Sequence, residues 1–134
     1  MLRTLIIDDD EIVIFLQRKI VTKCELDSDP YVFKNAGKAL DFLENDSDSE
    51  TDYLIMLDIN MPMMNGWEFL ENLKFVSNNE RFFVVMVTSS IDRKDKRIAA
   101  EDPHVVDFIE KPVSARHCNK LKGISKLSAY FEES

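Results

Sequence analysis

Glycine is almost missing from this chain, and the other residues that mark specialised sites are few. Its 134 residues hold three glycines, four prolines, two cysteines, two histidines and one tryptophan. A nucleotide- or flavin-binding module would need a glycine- or hydroxyl-rich phosphate loop after the first strand, and Asp8 to Glu11 there would repel phosphate instead. Cys24 and Cys118 have neither metal-ligand spacing nor the density of a stapled secreted domain, so free thiols in a reducing cytoplasm are expected. His104 and His117 lack the partners of a metal or phosphohistidine site. Basic charge is also short, at 17 Lys and Arg against 25 Asp and Glu, and the net −8 excludes general nucleic-acid binding. No apolar run approaches the length of a membrane-spanning helix, and Met1-Leu2-Arg3-Thr4 leads straight into a short strand without a signal peptide's apolar region. No internal repeat, linker or heptad is present, so no membrane and no nucleic-acid partner is expected.

What is present is a core and an alternation. Hydrophobic residues make up 45% of the chain, enough to pack one domain over residues 1–134. Five short apolar runs, residues 2–7, 29–34, 53–57, 82–88 and 105–109, alternate with segments of helical spacing. That is the pattern of a doubly wound parallel α/β sheet with helices on both faces. Ile12, Val13, Leu16 and Ile20 form one helical stripe, and Ala36, Ala39, Leu40 and Leu43 form the next. Asn65-Gly66 turns the chain, after which Phe69, Leu70, Leu73 and Val76 supply a third apolar face. Residues 92–100 carry Arg93, Lys94, Lys96 and Arg97 and leave little but Ile98 and alanines to pack, which predicts a short, loosely held fourth helix. Ser114 is a candidate N-cap for a last helix bearing Ala115, Cys118, Leu121, Ile124 and Leu127. Asp46, Asp48, Glu50 and Asp52, among serines, read as a solvated acidic loop.

The strand ends change character. Leu5-Ile6-Ile7 stops at Asp8-Asp9-Asp10-Glu11, residues 53–57 stop at Asp58, residues 82–87 at Thr88-Ser89-Ser90, and residues 105–109 at Glu110-Lys111-Pro112. In an open parallel sheet, ligands bind beyond the carboxyl ends of the strands, so these acids, a hydroxyl and an amine are expected to share one crevice. Holding Asp9 and Asp58 about 4 Å apart costs roughly 4 kcal/mol of repulsion at an effective dielectric near 20, which a proton or a cation must offset. All-oxygen ligands suit Mg²⁺, with Mn²⁺ an alternative. Lys111 would then neutralise phosphoryl charge, and the Thr88 hydroxyl would bond a phosphoryl oxygen.

These residues, in this order, resemble the receiver domain of the two-component response-regulator family, close to the stand-alone chemotaxis type. The resemblance rests on Asp8-Asp9, the motif LDINMPMMNGWEFL around Asp58, Thr88-Ser89 and Lys111-Pro112, and it covers nearly the whole chain. It implies a flavodoxin-like strand order 2-1-3-4-5, Asp58 as phosphoacceptor, and Mg²⁺ held by Asp8, Asp9, Asp58 and the main-chain carbonyl of Asn60. It further implies that Lys111 pairs with the acceptor, that Thr88 and Phe108 act as switch residues, and that Asn60 and Ser90 modulate the phosphoryl lifetime. A cis Lys111-Pro112 bond is implied as well. The segment from Ala100 to His104 departs from the glycine-bearing turn usual in the family, which leaves the end of the fourth helix open.

The implied function is a phosphoacceptor switch that receives its phosphoryl group from a histidine kinase or phosphotransfer protein and catalyses only its own phosphorylation and dephosphorylation. Output is expected through protein contact on the face of the fourth helix, last strand and last helix, with Arg93, Lys94, Lys96 and Arg97 as candidate contacts. An aspartate-nucleophile phosphohydrolase with a similar sheet is the alternative. Such enzymes usually need a second acid two residues after the nucleophile, where this chain has Asn60.

Overall fold

The computed structural model describes residues 1–46, 50–89 and 92–132. Five parallel strands, β1 (Leu2–Ile7), β2 (Tyr31–Phe33), β3 (Asp52–Asp58), β4 (Phe82–Thr88) and β5 (Val105–Glu110), form one sheet in the order β2-β1-β3-β4-β5. Helices α1 (Glu11–Lys23), α2 (Ala36–Asn45), α3 (Gly66–Leu73), α4 (Arg93–Glu101) and α5 (Ala115–Lys122) alternate with them. The architecture is the doubly wound parallel sheet that the sequence pattern predicts, in the flavodoxin-like order that the family resemblance implied.

The central strands are apolar throughout because both of their faces are covered. With a side-chain period of two, Leu5, Ile7, Ile55, Leu57, Val84 and Met86 face one layer, where Ala39, Leu40, Leu43, Phe69, Leu70, Leu73 and Ala99 meet them. Ile6, Leu54, Met56, Val85 and Val87 face the other, against Ile14, Val21, Cys118 and Leu121. A one-residue slip of any of these strands would exchange its partners between layers, so the register is firmly specified. Among the described residues, no helix is long and apolar enough to cross a membrane.

Several elements differ from the sequence expectation. β2 is shortened to three residues from the predicted 29–34: Pro30 has no N–H to give, the Asp29 N–H donates to Asp27 Oδ1, and this edge strand pairs with β1 alone. In α1 the predicted stripe is only partly inward: Ile20 packs against the core and Val13 is half-buried, but Ile12 and Leu16 face outward. Ile14, Gln17 and Val21 are buried, whereas Ile12, Phe15 and Leu16 are 71%, 63% and 48% exposed. The helix is apolar on two faces, so periodicity alone could not choose between them. α5 ends at Lys122, one turn before Ile124 and Leu127, which pack through the turn that follows, with Leu127 fully buried. Asp46 is no solvated loop residue: it pairs with the buried Arg81 at 3.3 Å and accepts from the Tyr53 hydroxyl. Asp48 lies outside the described residues.

Candidate functional site

The crevice is assembled where the strand order reverses. β1 and β3 run side by side with Ile7 opposite Leu57, so Asp8 and Asp58 come off neighbouring strand ends. The Asp8 N–H donates to the Phe33 carbonyl at 3.1 Å, and Asp8 Oδ1 accepts from the Asp10 N–H at 2.9 Å. Asp10 in turn caps α1 by accepting from the Ile12 and Val13 N–H groups. This small turn keeps Asp8 buried and leaves Asp9 exposed at its rim. One carboxylate oxygen from each of Asp8, Asp9 and Asp58 lies within 4.8 Å of the others, a cluster able to hold a metal ion.

Asp58 is held from below by α3. Asn65 and Glu68 form a capping box that fixes the first turn of that helix. The Gly66 N–H donates to the Ile59 carbonyl at 2.9 Å. A Cβ on Gly66 would sit 2.7 Å from the Asp58 carbonyl oxygen, so only glycine lets the helix start this close to the acid.

Lys111 closes the constellation. β4 and β5 pair with Thr88 opposite Glu110, and the Lys111 N–H donates to the Thr88 carbonyl at 2.7 Å. The Lys111-Pro112 peptide is cis, as the family resemblance implied. Lys111 Nζ lies 2.8 Å from Asp8 Oδ2 and 3.1 Å from Asp58 Oδ1, donating a hydrogen bond to the latter. Asp8 Oδ2 is buried, and the Lys111 ammonium is its ion-pair partner. Burial and then the charge of Asp8 push the Asp58 carboxyl above the ordinary carboxylate range, against the pull of Lys111 and the Asn60 N–H. Burial alone would lower the Lys111 ammonium, but its ion pairs with Asp8 and Asp58 outweigh that and leave it raised.

The remaining predicted residues fall around this centre. Thr88 is buried at the end of β4. Phe108 is half-buried on β5, packed against the core layer that contains Ala99 and lining a groove with Lys96 and Ala100. Ser90 lies outside the described residues. Arg93, Lys94, Lys96 and Arg97 are all exposed, on a helix whose only buried residue is Ala99. His104 sits 3.5 Å from Asp102, and His117 Nδ1 accepts from the Ser114 N–H in the cap of α5, so both have structural partners. Sequence reasoning missed two features. The Asn65/Glu68 cap was legible as an N-x-x-E pattern before an apolar run, whereas the outward apolar stripe of α1 was indistinguishable from a core stripe.

A carboxylate at the end of β3, two more at the end of β1, and a lysine paired to them on a 2-1-3-4-5 sheet define a protein of the receiver class. A family model for the response regulator receiver domain matches residues 4–121, and the chain belongs to that family. The response regulator receiver protein of Dyadobacter fermentans is 26% identical with a TM-score of 0.83, over 99% of this chain and all of that one. A two-component response regulator of Cytophaga hutchinsonii is 28% identical with a TM-score of 0.81, over 96% and 98% of the two chains. Among curated proteins, two-component response regulator PprB of Pseudomonas aeruginosa is 29% identical over 80 residues, 60% of this chain and 28% of that protein. GTPase Der of Borreliella afzelii is 32% identical over 80 residues, 59% of this chain and 17% of that protein. The chain therefore spans less than a third of the length of these curated relatives. The likeness to a GTPase brings no phosphate loop with it, since acids and not glycines follow β1.

Proposed function

We propose that residues 1–134 act as one receiver unit, a phosphoacceptor switch in which Asp58 takes a phosphoryl group from a histidine kinase or phosphotransfer protein. The observation that carries this reading is Lys111 Nζ, within 3.1 Å of Asp58 and 2.8 Å of Asp8 at the floor of a three-carboxylate cluster. Asp8, Asp9, Asp58 and the Asn60 main-chain carbonyl would hold Mg²⁺, or Mn²⁺ in its place. The ion, when bound, offsets the repulsion among the carboxylates and lends positive charge to phosphoryl oxygens. An Asp58 carboxylate oxygen attacks phosphorus, the bond to the donor's imidazole nitrogen breaks with its electron pair leaving on that nitrogen, and an acyl phosphate results. Lys111 meets the negative charge of the transferred group, and the Thr88 hydroxyl donates to one of its oxygens. Asn60 and Ser90 govern the approach of the water that later hydrolyses it. Phosphorylation then biases the inward states of Thr88 and Phe108 and alters contacts at the face formed by α4, β5 and α5.

Two surfaces support protein partners. Ile12, Phe15 and Leu16 expose an apolar stripe on α1, and Val13 and Leu16 border a small slot with Lys111, Pro112 and Val113 beside the acceptor site. A donor seated there would bring its phosphohistidine to Asp58. The exposed Arg93, Lys94, Lys96 and Arg97 on α4 suit an acidic downstream partner.

Intact mass after incubation with acetyl phosphate tests the reading. With Mg²⁺ the protein should gain one phosphoryl group, about 80 Da. Chelation or Asp58→Asn should abolish the gain. Full labelling of Asp58→Asn would overturn the assignment, and turnover of a phosphate ester by the wild type would favour the phosphohydrolase.

A further inference from the structure

The segment from Ala100 to His104, which departs from the glycine-bearing turn usual in the family, carries an acid that the acceptor site does not use. Asp102 is the C-cap of α4, and its side chain is only 10% exposed. Its Oδ1 accepts from the His104 N–H at 2.9 Å and lies 3.5 Å from His104 Nδ1, whereas among the described residues nothing donates to Oδ2. Asp102 lines a groove of about 250 Å³ between α3 and α4, together with Trp67, Leu70 and Glu71 from α3 and Ile98 from α4. Trp67 and Glu71 are four positions apart on α3, as are Ile98 and Asp102 on α4, so each helix turns one apolar and one acidic residue to the same groove. Trp67 is half-buried against the core, and Ile98 is 44% exposed. Lys74, bonded to Glu71 at 3.0 Å, has its ammonium raised above the ordinary lysine range by Glu71 first and by the charge of Asp102 in addition. The groove mouth therefore favours positive charge, and the carbonyl end of α4 adds to the effect.

We propose that this groove is a docking site for one arginine side chain of a protein partner. Its volume falls short of the pockets that hold drug-sized ligands, so it suits a single long side chain and not a cofactor. Leu70 and Ile98 supply apolar wall for the methylene stem, the Trp67 indole suits the guanidinium plane, and Asp102 with Glu71 meets the charge. A lysine brings a compact, strongly hydrated head that stacks less well on an indole, and an acid would be repelled by Asp102. Glu71 and Lys74 are both exposed, so their pair gives way readily to an incoming cation. An arginine seated here also has a mechanical effect. α3 is anchored by Phe69, Leu70 and Leu73, whereas α4 buries only Ala99, so the ligand fastens the loosely held helix to the firmly held one. The groove shares no residue with the cluster of Asp8, Asp9 and Asp58, and the inference does not rest on the phosphoacceptor reading.

The test is a titration of the full chain with acetyl-Gly-Arg-Gly-amide at constant ionic strength, followed by NMR. The indole N–H of Trp67, the only tryptophan of the chain, and the main-chain amides of Ile98 and Asp102 are the reporters. All three should shift and saturate with a Kd on the order of 1–10 mM, as suits a single side chain. The same peptide with citrulline in place of arginine keeps the shape without the charge and should bind about tenfold more weakly. Asp102→Asn, which keeps an acceptor for the His104 N–H, should bring the arginine peptide down to the citrulline level, and Glu71→Gln should weaken it by roughly twofold to threefold. Bound arginine peptide should also slow amide exchange over α4. The proposal is overturned if the two peptides bind alike, if Asp102→Asn binds arginine as the wild type does, or if Trp67 does not shift at about 50 mM peptide. Shifts gathered around Asp8, Asp9 and Asp58 instead would overturn it as well. Should Asp102→Asn fail to fold, the comparison of the two peptides on the wild type decides.

Discussion

At the scale of single residues, the carboxylate cluster holds an electrostatic strain. Asp58 is buried beside Asp8, and its carboxyl is raised above the ordinary range by that burial and by the second acid. A carboxyl whose folded pKa exceeds its unfolded value binds its proton more tightly in the native state. Its ionised form therefore subtracts stability at neutral pH, and the penalty is relieved as pH falls through the folded pKa toward the unfolded value near 4. Asp58→Asn removes the charge and keeps the shape. Without metal, the variant should melt above the wild type at pH 7, with the difference shrinking as pH is lowered toward about 4. Thermal melts in chelator across that range measure it. A variant less stable than the wild type at pH 7 would mean that the ion pair with Lys111 outweighs the burial.

At the scale of elements, the helices are unequally anchored. α3 starts in a capping box, buries Phe69, Leu70 and Leu73, and seats Gly66 against the Asp58 carbonyl. α5 starts in a capping box of Ser114 and His117 and buries Cys118 and Leu121. α4 has the Asp92 side chain as N-cap but buries only Ala99, and leaves Ile98 exposed. A helix held by so little apolar area is the one whose population a modest free energy can shift, and it lies between Thr88 and Phe108. Amide exchange should therefore differ most over residues 88–114 when the free protein is compared with its beryllofluoride form, in which beryllofluoride stands in for the phosphoryl group. Changes concentrated over residues 29–43 would place the output elsewhere.

At the scale of the whole molecule, two hydrogen-bonded tyrosines set an alkaline limit. Burial, reinforced by the bond to Asp46, holds the Tyr53 hydroxyl well above the ordinary phenol range, and burial with the bond to Asp52 takes Tyr130 to about 12. In the unfolded chain these groups ionise near pH 10, so the native state keeps protons that the unfolded state has lost. Stability must then fall as pH rises past about 10. Tyr53→Phe should flatten that decline in a series of melts between pH 8 and 11; an unchanged slope would remove Tyr53 from the account.

The same scale shows what could be read in advance. The parallel sheet and the meeting of Asp8, Asp9, Asp58 and Lys111 were legible because strands buried on both faces are continuous apolar runs that end in conspicuous polar residues, and the strand order followed from the family resemblance. The facing of α1 was not, since Ile12 and Leu16 are as apolar as Ile14 and Val21, and only the rotation of the helix on the sheet separates them. Nor was the pair Asp46 and Arg81, whose partners lie 35 residues apart in an otherwise polar stretch.

The central claim is that one carboxylate among three becomes an acyl phosphate, and borohydride trapping reads that carboxylate directly. Borohydride reduces an aspartyl phosphate to homoserine, which tandem mass spectrometry assigns to a position. After acetyl phosphate and Mg²⁺, homoserine should appear at position 58 and at no other, and it should vanish on chelation. Homoserine at position 8 or 9, or none in a protein that has gained a phosphoryl group, would contradict the account.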